Sequence, residues 1–196
     1  MTFDFQIILA LISFSIGFLA GAIYLRATLK KEIRPHIYTW IIGAILAWIG
    51  VAAQFSDGER IAVISMLFTA IFCSLMTVLS IKYGTKDIKK FDTIVLIASI
   101  TAIIPWTITK DPLLSVIMIC IIEAMAIIPT MRKSWDDPWG EKLISWFWGA
   151  VNFTLSVFAL TNFTFVTAAY PLAIVFVNAS LIALCLYRRQ TIAKPI

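Results

Sequence analysis

The sequence predicts an all-α polytopic membrane protein: seven transmembrane helices, arranged as two parallel three-helix repeats joined by a linker helix. Three observations predict it. The residues are 61% hydrophobic and 14% charged, against about 25% charged in a soluble domain. Seven apolar runs, near 5–25, 37–54, 61–81, 92–109, 112–131, 142–161 and 164–187, can each cross a hydrocarbon core of about 30 Å. They are read as helices, because an unpaired backbone cannot sit in lipid. Finally, two blocks of three runs recur at an offset of 106 residues without a gap, so that Trp40, Gly43 and Ala44 fall on Trp146, Gly149 and Ala150. The same offset places Arg26 on Arg132, Thr39 on Ser145, Ser74 on Ser180 and Lys82 on Arg188. The expected units are a first bundle at 1–83, a linker helix at 84–110, and a second bundle with a short tail at 111–196.

The first run lacks the basic leader of a cleaved signal peptide, its only early charge being Asp4, and it has a counterpart in the fifth run. It is therefore read as a transmembrane helix. Ser13, Gly17 and Gly21 form a small-residue stripe on it, continued in the second run by Gly43, Ala47 and Gly50. Such stripes let helices approach closely. Asp57-Gly58 marks a turn before the third run. The fourth run, with Ser99, Thr101 and Pro105-Trp106-Thr107 as its polar content, has no repeat partner and suits a linker. Pro112 opens the fifth run, where its missing N–H costs nothing. Pro105, Pro129 and Pro171 interrupt runs four, five and seven; Pro129 is read as a hinge or a fixed kink.

Charge gives the orientation. Fourteen of the sixteen basic residues fall on one side of the alternating runs, and only Arg60 and Lys110 on the other. The positive-inside rule puts the rich side in the cytoplasm and the N-terminus outside, in the cell inner (plasma) membrane. An odd number of helices then gives both blocks the same orientation, a parallel repeat. The net charge of +5 is accounted for by this topology and is no sign of nucleic-acid binding.

Several chemistries are excluded. Cys73, Cys120 and Cys185 lie on three different runs with no Cys-x-x-Cys pair, so no metal site or thiol exchange is expected and they read as packing residues. No phosphate-cradling glycine–lysine motif points to ATP hydrolysis. The seventh run has no lysine for a retinal Schiff base. His36, the single histidine, reads as a solvated loop residue. No cofactor is expected.

Four residues form the expected substrate site. Glu123, mid-run in Ile121-Ile122-Glu123-Ala124-Met125, carries the sharpest signal, since a carboxylate at that depth costs roughly 2.5–3.5 kcal/mol. It suits substrate binding, proton coupling or an interhelical hydrogen bond. Trp148 and Asn152, four residues apart, share a helical face. An indole and an amide there suit a planar or hydroxylated ligand, or an interfacial Trp with a helix-bridging Asn. Asn178, mid-run, needs a partner or water. Trp40 and Trp146, matched by the repeat near the cytoplasmic ends of runs two and six, read as an aromatic belt or a gate.

The stretches Arg34-Pro35-His36-Ile37-Tyr38-Thr39-Trp40 and Glu123 through Pro129-Thr130-Met131-Arg132-Lys133-Ser134-Trp135, with Asp137-Pro138 and Glu141, resemble bacterial members of the SWEET, PQ-loop and nicotinamide-riboside transporter superfamily. The Pro-Gln pair of that group is absent, Pro129-Thr130 standing in a comparable place; Asn178 has no asparagine counterpart in run three. The resemblance implies a transporter, not an enzyme. It would be a facilitator, either uncoupled or proton-linked through Glu123, moving a small polar solute such as a sugar or a nucleoside-like vitamin precursor by alternating access. A non-transporting receptor or scaffold on the same fold is the alternative, and homo-oligomers are compatible with either.

Overall fold

The computed structural model describes residues 2–56, 62–101, 104, 108, 112–160 and 163–194. The turn at Asp57-Gly58, Pro105-Trp106-Thr107, Arg60 and Lys110 lie outside them. The described residues are helical, with no strand: α1 Thr2–Leu29, α2 Ile37–Ser56, α3 Ala62–Tyr83, α4 Lys90–Thr101, α5 Pro112–Ala126, α6 Ile128–Asp136, α7 Leu143–Phe158 and α8 Phe165–Arg189. The fifth run is thus split at Ile127, and Pro129 sits buried in the first turn of α6, where its missing N–H is tolerated. Pro171 lies inside α8. Two stretches, Ile7–Leu29 in α1 and Thr167–Arg189 in α8, are long and apolar enough to cross a membrane. Apolar side chains also face outward elsewhere, such as Ile71 and Val78 on α3, Ile94 and Ile97 on α4, Phe147 on α7 and Phe176 on α8.

Following neighbours around the molecule gives a closed ring: α1, α7, α8, α5, α2, α3 and back to α1. Half a turn of that ring exchanges α1 with α5, α2 with α7 and α3 with α8, the pairs that the 106-residue offset matches. α4 stands outside the ring against α2, α5 and α6. Two seams therefore join the halves, α1·α7 and α2·α5. Apolar packing fills both. Tyr24, Ala27, Ile33 and Met76 cluster with Trp40, Phe72 and Trp146 on one side, and Ile42, Leu46, Ile122 and Ala126 on the other.

The basic loops fold inward. α1 ends with Lys31 in the left-handed region, φ 59°, and the Glu32 amide reaches back to the Ala27 carbonyl at 2.9 Å. The link Arg34-Pro35-His36 then meets two of the other basic-end loops. The Arg34 amide donates to the Gly140 carbonyl at 3.1 Å, and the Thr85 amide to the Pro35 carbonyl at 3.0 Å. The second approach requires glycine next door. A β-carbon on Gly84 would stand 2.7 Å from the Pro35 carbonyl oxygen, too close for any side chain.

Candidate functional site

The two seams are built on the same bond. Ser145 Oγ on α7 donates to the Ala20 carbonyl of α1 at 2.5 Å. Thr39 Oγ1 on α2 donates to the Ala126 carbonyl of α5 at 2.7 Å. Both donor and acceptor are offset by 106 residues, so half a turn of the ring carries one bond onto the other.

Toward the other end the seams part. In α1·α7, Ser13 donates to Asn152 Oδ1 at 2.6 Å, with the Asn152 carbonyl 2.9 Å from the same hydroxyl. Gly17 makes the room: a β-carbon there would lie 3.0 Å from Asn152 Nδ2. The positions matching Gly17 and Asn152 in α2·α5 are Glu123 and Leu46. Glu123 is half-buried on α5, within electrostatic reach of Cys73 on α3, Cys120 one turn earlier and Tyr170 on α8. No hydrogen bond or ion pair to Glu123 is formed among the described residues.

Of the other expected site residues, Asn178 is buried on α8 with its amide nitrogen 3.1 Å from where a β-carbon on Gly149 would be. Trp148, beside Gly149, is half-buried and packs edge-on to Phe147 at 5.3 Å between ring centroids. Asn152 turns to α1 instead. No hydrogen bond among the described residues joins Glu123 to Trp148, Asn152 or Asn178.

Trp40 and Trp146 meet at the basic end, centroids 6.5 Å apart, with Tyr24 wedged against both at 5.1 and 5.9 Å and Phe72 edge-on to Trp40. Behind them lies a buried carboxylate, Glu141, from the stretch between the fifth and sixth apolar runs. Glu141 accepts from Tyr24 Oη at 2.9 Å and Trp146 Nε1 at 3.0 Å, and pairs with Lys133. Glu141 and Lys133 are 2% and 3% exposed, so the pair is sealed from water. Lys133 also donates to the carbonyls of Arg34, at 2.8 Å, and Gly140. One signal pointed there: the offset pairs Lys133 with Ala27 and Glu141 with Pro35, so both charges break the repeat.

Arg132, the residue before Lys133 on α6, clamps the linker. Its Nε and Nη2 reach both oxygens of Asp92 at 2.7 Å, and Nη1 reaches Asp87 at 2.9 Å. Lys89 and then Arg132 hold the Asp87 carboxyl below its ordinary range. His36 lies under this clamp, 0% exposed, with Nε2 3.4 Å from Asp92 Oδ2. Its reading as a solvated loop residue is corrected: α4 and α6 cover it. Burial, opposed by Asp92, pushes its pKa down. The cysteines are free, Cys73 and Cys185 buried and Cys120 half-buried, and no cluster of three or more metal-ligating side chains occurs among the described residues.

No family model, curated protein or solved structure matches this chain.

Proposed function

We propose that the protein is a membrane transporter that moves a small polar solute by alternating access, with the basic end in the cytoplasm and all seven runs spanning the bilayer. The observation that carries this reading is the pair of ring-related bonds, Ser145 to Ala20 and Thr39 to Ala126, flanking the matched Trp40 and Trp146. Two like halves joined at two like seams can rock about the axis between them. In this reading the tryptophans and Tyr24 close the cytoplasmic mouth, and the break before Pro129 lets α6 move against α5. Glu123 is the solute- or proton-binding group, because a carboxylate without a counter-charge in an apolar seam calls for one. The basic asymmetry supports the orientation, and the outward apolar faces of α3, α4, α7 and α8 support lipid contact. A sugar or a nucleoside-like vitamin precursor is the solute class carried forward from the resemblance.

The test is a thermal-shift screen of nucleosides, vitamins and sugars, followed by uptake of any hit into proteoliposomes. Glu123→Gln keeps the shape and removes titration. It is expected to abolish pH-dependent uptake, or to weaken binding if the group holds only solute. Unchanged binding and uptake in both Glu123→Ala and Asn178→Ala would remove the site, and binding without uptake would favour the receptor reading.

A further inference from the structure

His36 is an exception in a well-satisfied interior. Neither ring nitrogen has a hydrogen-bond partner, although the residue is completely buried. Buried polar groups left unpaired carry a desolvation cost, so each one calls for a physical explanation. The offset sharpens the point. The position matching His36 in the second half is Lys142, which is 39% exposed and pairs with Glu32 in water at 2.7 Å. The same place in the ring thus carries a freely charged side chain on one seam and a sealed imidazole on the other. The linker makes the difference: α4 has no counterpart and packs over α2, α5 and α6.

The groups facing the ring come from four elements. Asp92 lies on α4, where its oxygens are occupied by Arg132 and by the Lys89 amide at 2.8 Å. Asp92 Oδ2, 3.4 Å from Nε2, favours charging of the ring, and Arg132 and Lys133, which approach from α6, oppose it more weakly, so burial is what keeps the ring neutral. Tyr38 on α2 packs edge-on at 5.6 Å. In the loop before α4, Asp87 is bound to Arg132 and Lys89. His36 is also the last residue of the link whose preceding two residues tie together the basic-end loops, through Gly140, Lys133 and Thr85.

We infer that His36 is a proton-operated release for the closed basic end: a charge on the ring is costly in its sealed place under α4 and α6, so charging it expels the Arg34-Pro35-His36 link and loosens the ties to Gly140 and Thr85. The inference rests on the reading of this end as a gate. The sign follows from burial. The closed form prefers the neutral ring, so its pKa lies below the ordinary 6.5, whereas the opened form has the ordinary value. Closure is therefore fully favoured above pH 6.5 and weakens as the pH falls from there toward the lowered value.

The test needs no solute, so its failure and that of the transport reading are distinguishable. The full chain in nanodiscs is followed by amide hydrogen exchange from alkaline to acid pH, expressed as protection factors that remove the intrinsic pH dependence. Protection of the Arg34 and Thr85 amides is expected to fall by up to about tenfold per pH unit below the ordinary histidine value. Protection of the Ala159 amide, which is bonded within α7 to Leu155, should stay level. The ring of the only histidine in the chain, read by NMR, should titrate below 6.5, at the pH where the fall in protection levels off. His36→Gln should flatten both protection curves. Level protection in the native chain, an undiminished fall in His36→Gln, or a ring that titrates at or above 6.5 would each overturn the inference.

Discussion

The α1·α7 and α2·α5 seams start from the same hydroxyl-to-carbonyl bond and finish differently. At α1·α7 the polar groups are answered within the seam or by α6 beside it. Asn152 is bonded by Ser13, and Glu141 by Tyr24, Trp146 and Lys133. At α2·α5 Ile42, Leu46, Ile122 and Ala126 pack together, the Thr39 hydroxyl also meets that of Thr130 on α6 at 2.8 Å, and Glu123 has no hydrogen-bond or ion-pair partner among the described residues. A satisfied buried network is rigid and costly to disturb, while a bare carboxylate is a place where something else can bind. Under the proposed transport reading, the first seam is the support and the second the place where solute or proton binds.

The sharpest way to break that assignment is to empty the Glu141 pocket. Lys133→Met leaves a buried carboxylate whose only donors are neutral, and Glu141→Leu leaves a buried ammonium on two carbonyls. Either single change is expected to destabilise the protein by about 3–5 kcal/mol, and the double change by less than either, because paired removal leaves no uncompensated charge. Unfolding in detergent measures it. A double variant as unstable as the sum of the singles would show that the two charges act independently and that this seam is not held by their pairing.

The second experiment sharpens the shared part of the comparison. Thr39→Val and Ser145→Ala each delete one hydroxyl bonded to a helix carbonyl. Each is expected to cost about 1 kcal/mol. The sites lie on different seams, so the double variant should show the sum to within about 0.5 kcal/mol. A large cost on one side only would mean that the matching bond is a coincidence of geometry, with no shared role in joining the halves.

Much of the helix pattern was legible in the sequence, because apolar runs and prolines act locally. The splitting of the fifth run at Ile127 follows from Pro129, and the offset singled out Thr39 and Ser145 before their bonds were known. The polar interior was harder to read. Hydropathy puts Lys133, Glu141, Asp92 and His36 at segment ends, where side chains usually meet water. Whether they turn inward depends on which loops fold over them, and that is a property of the tertiary arrangement. Helical spacing likewise placed Trp148 and Asn152 on one face but could not say that the face meets Ser13 and Gly17 of α1. Glu123 stood out because a carboxylate in an apolar run is conspicuous without any knowledge of its neighbours.

The smallest effect is expected at the pair that ties the loops over α1·α7. Glu32 and Lys142 are 2.7 Å apart, as close as the Arg132–Asp92 contact beside the other seam, yet both are substantially exposed. Distance does not decide their worth. Water screens the exposed pair and its two long side chains must be held still, whereas Asp92 is sealed under α4 and gripped at both oxygens. Lys142 holds the Glu32 carboxyl below its ordinary 4.5, so any contribution from the pair is present above that pH and is lost as the pH falls through the lowered value. Glu32→Gln should therefore lower the unfolding midpoint only slightly at neutral pH, and its curve should merge with that of the parent chain as the pH falls through the lowered value. Asp92→Asn should lower the midpoint clearly. If Glu32→Gln lowered it as much as Asp92→Asn, coverage by α4 would not be what separates the two seams. The exposed Lys142 and the buried His36, which occupy matching places in the ring, would then need another explanation.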